Sequence, residues 1–137
     1  MKRVVIKFIS LCVLACLAIG IPATAQAQVR RYISFENRCN SPVRIYISHA
    51  DGWRNWHPHG PFIMEARQGP IRLEANRITL TQTENHDLYF YAEALDGSGD
   101  VWEGNDHVAT YNGVTYRMRR ATVTVTGGWL NASLICR

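Results

Sequence analysis

The chain has 137 residues, with fifteen Lys and Arg against eleven Asp and Glu and a formal net charge of +4. Three of those bases, Lys2, Arg3 and Lys7, fall in the first 27 residues, so residues 28–137 carry twelve bases against eleven acids, a net of +1. All twelve are arginine, and only Arg117, Arg119 and Arg120 stand close together; this balance excludes the basic stripe of a nucleic-acid binder, and 110 residues (28–137) suit one domain.

Lys2, Arg3 and Lys7 precede an apolar run from Phe8 to Ile21, Pro22 breaks it, and Ala25-Gln26-Ala27 follows. That is the layout of a secretory signal peptide, so residues 1–27 are expected to form a cleavable signal helix of bacterial type and 28–137 a single exported domain, periplasmic or secreted. A retained anchor is not expected, because the fourteen residues of the run fall short of the roughly 20 that a spanning helix needs. Lipoprotein processing at Cys16 is disfavoured as well, since the apolar segment continues past that cysteine. No stable membrane span should remain after cleavage.

Beyond the leader, apolar residues alternate with polar ones. Tyr32 to Phe35 reads weakly as a strand. Val43, Ile45 and Ile47 interleave with Arg44, Tyr46 and Ser48, the period of two that marks a strand with one buried face. Ile78 to Thr81 reads the same way, as do Leu88 to Ala94, with Leu88, Phe90, Ala92 and Ala94 on the inner face, and Thr122 to Thr126. Turn signals fall between them at Asp51-Gly52, Gly69-Pro70, Asp96-Gly97, Asn112-Gly113 and Gly127-Gly128. Asn112-Gly113 suits a two-residue type I′ hairpin joining a strand that ends near Tyr111 to one that starts at Val114. The turn at Asp96 to Asp100 should fold the strand bearing Trp102 back onto Leu88–Ala94. No window shows an apolar stripe at helical spacing, so the expected fold is all-β, a single small antiparallel β-sandwich or barrel. Asp51 to Pro61 lacks strand periodicity and is expected to be an ordered loop.

Cys39 and Cys136 are the two cysteines left after the leader, and an oxidising compartment makes a disulfide between them the expected state. His57-Pro58-His59 places two imidazoles on one side of an extended backbone, close in sequence to His49 and Asp51, but no further metal ligand is evident. Asp96-Gly97-Ser98-Gly99-Asp100 opens like a calcium loop, then fails at Val101 and His107, where glycine and glutamate belong. No GxSxG, HExxH, Walker or dinucleotide motif occurs, and no cofactor is expected. Asn131-Ala132-Ser133 fits the N-glycosylation pattern but should be silent within a strand of a bacterial protein. Trp53, Trp56 and Trp102 fall near expected loops beside Arg54, Asn55, Glu103 and Asn105, a combination of ring faces and hydrogen-bonding groups suited to sugars or a protein partner. Trp102 is the one best placed to plug the core.

Several segments together resemble a family of small exported bacterial proteins, domain-of-unknown-function family ten-thirty-six. They are Phe-x-Asn-x-Cys-Asn at Phe35 to Asn40, the tryptophans at 53 and 56, Tyr-x-Tyr-Ala-Glu at Tyr89 to Glu93, and Trp-x-Gly at Trp102 to Gly104. The likeness is firmest from Leu88 to Tyr116. It departs at Trp56-His57-Pro58-His59-Gly60, where members carry Gly-Trp-Trp or Gly-Trp-Phe and then Pro-Gly. The resemblance implies a secreted β domain and supplies no activity. The expected function is a non-enzymatic exported binding or structural module, contacting glycan, peptidoglycan or protein through Trp53, Arg54, Asn55, Trp56, Glu103 and Asn105. The alternative is a small metal-assisted hydrolase using His57 and His59.

Overall fold

The computed structural model describes residues 29–51, 55–83 and 87–136. Residues 1–27, expected to be a leader, and Trp53 and Arg54 lie outside them. The strands are, in chain order, β1 (Arg30–Asn37), β2 (Val43–Ala50), β3 (Trp56–Met64), β4 (Ile71–Arg72), β5 (Glu74–Ala75), β6 (Ile78–Thr79), β7 (Thr81–Thr83), β8 (Tyr89–Ala94), β9 (Val101–Trp102), β10 (His107–Tyr111), β11 (Val114–Arg120), β12 (Thr122–Thr126) and β13 (Trp129–Leu134). The described chain is all-β. One sheet runs β12-β13-β1-β4, with β7 also on β1; the other runs β10-β11-β8-β2-β3, with β9 also on β8; β5 and β6 form a separate hairpin.

The two sheets close over a core of Ile33, Phe35, Leu130, Ala132 and Leu134 from the first and Val43, Ile45, Ile47, Phe90 and Ala92 from the second. Phe35 and Phe90 meet edge to face across it, ring centres 5.6 Å apart. The alternating strands bury as their sequence requires: Leu88, Phe90 and Ala92 are buried, while Tyr89 and Tyr91 are only half so. Asn112 and Gly113 both have positive φ, 49° and 79°, the type I′ requirement, and they join β10 to β11.

Two features were not expected. The stretch read as a loop, Asp51 to Pro61, becomes strand from Trp56 onward, paired to β2 from Ala50 to Val43. Its prolines are tolerated because β3 is an edge strand, where a missing N–H need not break the ladder. Its alternation was disguised because histidines occupy the inward positions. The second feature is that β1 and β13 pair in parallel, Tyr32 opposite Trp129 through Asn37 opposite Leu134, whereas a wholly antiparallel fold was expected. Because both strands run the same way, their C-terminal ends lie together, and the Cys39–Cys136 disulfide joins them there with Cα atoms 5.1 Å apart.

Candidate functional site

The second sheet curls so far that β10 approaches β3, although three strands separate them in the ladder. Register sets what the curl encloses. Tyr46 and Ser48 on β2 point away from the core, together with Tyr89 and Tyr91 opposite them on β8 and Trp56 and Pro58 on β3. Tyr46 touches Tyr91, Tyr111 and Tyr116, stacking on the last at 4.3 Å. Further along the same face, His107 stacks on Tyr89 at 4.8 Å, and Trp56 leans on both. Gly60 is required here, because a Cβ would stand 2.6 Å from the Tyr46 ring and φ is +151°. Burial, then the hydrogen bond with Tyr46, pushes the Tyr116 phenol up to about 12, so that hydroxyl is neutral. A cleft of about 240 Å3 remains at the seam, between Trp56 and Pro58 on one side and His107 and Thr110 on the other.

Ser48 Oγ lies 3.0 Å from His107 Nε2 in this curl. A serine–histidine contact is the start of nucleophilic machinery, and both residues line this cleft, but Ser48 has no exposed surface. Among the described residues no carboxylate orients His107, whose pKa burial lowers. The pair holds β10 against β2.

The histidines cluster on the opposite, core-facing side. His49 stacks on His59 with ring centres 5.1 Å apart and lies 6.0 Å from His57, whose Nε2–H donates to Asp51 Oδ1 at 2.8 Å. His49 is buried, and its Nδ1–H donates to the Thr81 carbonyl at 2.7 Å, which leaves Nε2 as an unprotonated acceptor with no partner among the described residues. Desolvation lowers the His49 pKa to about 4 and lowers that of His59 as well. Stacked rings send their in-plane lone pairs along separate directions, and among the described residues no three side chains are placed to share a metal.

A cavity of about 530 Å3 is lined by Trp102, Arg119, Arg120, Asp100, Thr122 and Ser133, with Cys136 and Leu134 also in its wall. That volume lies within the range of small-ligand sites. Trp102 pairs with Ala92 on β8, as expected from the turn, and packs its half-buried ring against the core while facing the cavity. Arg120 is engaged, its guanidinium on Asp87 and its N–H on Asp106. No side-chain partner of Arg119 occurs among the described residues. Gly104 positions this wall: a Cβ there would stand 2.7 Å from Arg119 Cβ and 3.0 Å from its Cα, which gives Trp-x-Gly a steric reason. Gly104→Ala should therefore cost about 1–3 kcal/mol by overpacking, read as a lower melting temperature.

The structure thus separates the residues that the sequence grouped. By register, Trp56 and Trp102 project to opposite faces of one sheet. Asn55 and Glu103 are exposed, Asn105 accepts a hydrogen bond from Arg117, and none of the three lines either of these two cavities. Asp96, the first residue of the calcium-like run, instead closes a turn, accepting from the Ser98 N–H and the Ser41 hydroxyl. Two groups escaped the sequence reading: Arg119, and the outer face of the first sheet, where Tyr32 packs on Trp129 at 5.3 Å with Arg72 above that indole. The period-two pattern of β1 and β13 held that signal, but only their parallel register brings the rings together. Comparison of the chain with family models, curated proteins and solved structures returned no match.

Proposed function

We propose that the protein is an exported, non-enzymatic binding module whose ligand site is the cavity between Trp102 and Arg119, with a cell-wall or other glycan as its ligand. The observation that carries this reading is the pairing, in one opening of about 530 Å3, of an indole with a guanidinium that has no side-chain partner among the described residues and with the polar groups of Asp100 and Thr122. A sugar presents an apolar ring face and a rim of hydroxyls; an indole takes the first, and charged donors and acceptors take the second. The disulfide is compatible with an oxidising compartment, which supports export. The Tyr-x-Tyr-Ala-Glu and Trp-x-Gly motifs shared with family ten-thirty-six support an exported β module and supply no activity.

Retention on insoluble peptidoglycan, and fluorescence titration with its soluble fragments, test the reading. Arg119→Ala should weaken binding about tenfold or more while leaving the melting temperature unchanged, since a lost charged hydrogen bond is worth about 1.5–3 kcal/mol. Trp102→Ala should lose binding and about 3 kcal/mol of stability together, because its ring serves both cavity and core. Unaltered retention in Arg119→Ala would remove this cavity as the site.

A further inference from the structure

Among the described residues β12 is an open edge, paired only with β13. The hydrogen bonds show which of its backbone groups are free. Gly128, just before β13, and Leu134 at its end turn their carbonyls to Tyr32 and Arg38 on the β1 side, so by alternation Trp129, Asn131 and Ser133 turn theirs to β12. Their partners there are Thr126, Thr124 and Thr122. The N–H and C=O groups of Val123 and Val125 therefore face outward, four backbone groups with no partner among the described residues.

Natural edges are usually guarded by charge, proline, a bulge or brevity. β3 has Pro58, Pro61 and a register shift, β4 and β7 are two and three residues long, and β10 is curled toward β3. β12 has none of these defences. It is five residues of Thr-Val-Thr-Val-Thr with one half-buried and four exposed positions, Val125 being 41% exposed.

The segment also reads the same in both directions. Turned about a two-fold axis through Thr124, a second copy sets Thr124 against Thr124, Thr122 against Thr126 and Val123 against Val125. The outward groups of Val123 then meet those of Val125 in the other copy, making four main-chain hydrogen bonds. Thr pairs with Thr on the solvent face and Val with Val on the core face, both favourable cross-strand pairs. The paired segment Thr122 to Thr126 carries no charged residue, so no like charges oppose within it. We propose that β12 is a self-association edge, through which two copies join their first sheets antiparallel into one continuous sheet. A contact of this length belongs to the small, weak class of interfaces and should be populated in the micromolar range or above.

Sedimentation of the purified disulfide-bonded protein over roughly 1 µM to 1 mM should show mass rising from one chain toward two and stopping there. Thr124→Lys puts two ammonium groups against each other at the axis while altering only an exposed side chain. It should remain monomeric with an unchanged melting temperature and circular dichroism. Thr124→Cys should form an intermolecular disulfide under mild oxidation, because residues opposed across such a pair bring Cα atoms to about 4.5 Å. Thr126→Cys should not, its counterpart in the other copy being Thr122. A mass fixed at one chain, a mass growing past two, a Thr124→Lys protein that dimerises as before, or equal crosslinking of the two cysteine variants would each overturn the proposal.

Discussion

Replacing Cys39 and Cys136 together by alanine is expected to cost roughly 4–5 kcal/mol, the chain-entropy value for a loop of this length. The bridge spans 97 residues and ties the two ends of the described fold, just beyond the parallel β1–β13 pair. In its absence that pair must be found by diffusion of two distant segments, with Arg38 N–H to Leu134 O as its last backbone bond. Total stabilities of such domains run to about 5–15 kcal/mol, so the variant should be near the edge of folding. Its melting temperature should fall by roughly 20 °C or more, and adding reductant to the parent protein should produce the same loss. Cys39 is itself completely buried, so alanine leaves a small void that adds to the cost. Intact mass under non-reducing alkylation should show no free thiol at these positions. A double variant melting within a few degrees of the parent would mean that the hydrogen-bonded pair holds the termini unaided.

Acidification should destabilise the fold well before its carboxylates titrate, and His49 is the reason. Its folded pKa is lowered from 6.5 to about 4, first by desolvation, with the neighbouring His59 and His57 adding to it. The shift is downward for a base, so stability is complete above about pH 6.5. As pH falls below that, the unfolded chain binds a proton that the folded chain refuses, and stability drops until about pH 4, where the folded form takes the proton too. Burial makes the full conversion appropriate, on the order of 3 kcal/mol across the window. His59 and His107, whose pKa values burial also lowers, act in the same direction. Asp96, held down to about 2 by Ser41 and Ser98, loses its contribution only below the ordinary carboxylate range and so lies outside this window. Urea unfolding at pH 7.5 and pH 4.5 measures the effect. His49→Phe gives up the bond to Thr81 yet should flatten most of the slope between those values; an unchanged slope would place the titrating group elsewhere.

The orphaned Nε2 of His49 shows how far the sequence could be read. His57-Pro58-His59 was visible as a pair of imidazoles on one side of an extended backbone, and that geometry holds. What could not be read was that β2 would pair with β3 so that His49 lies opposite His57, inside the fold and under Thr81 from the other sheet. Asn76 and Arg77 illustrate the limit for turns, since both adopt positive φ, 52° and 67°, where an arginine gives no signal.

By itself the sequence determined the all-β class, the identity and inward faces of β2, β8 and β12, the hairpin at Asn112-Gly113, and the two cysteines available to bridge. These follow from forces that act within a few residues: the two-residue alternation of a pleated strand, the φ tolerance of Asn and Gly, and the scarcity of thiols. Only the tertiary structure decided that β1 runs parallel to β13, that Trp56 and Trp102 serve opposite faces, that Arg119 faces an open cavity beside an indole, and that β12 is left as an edge. Alternation states which side chains share a face of a strand, but which strand lies beside it and which sheet covers it depend on contacts between segments far apart in the chain. Those are settled by how all the buried faces are satisfied at once.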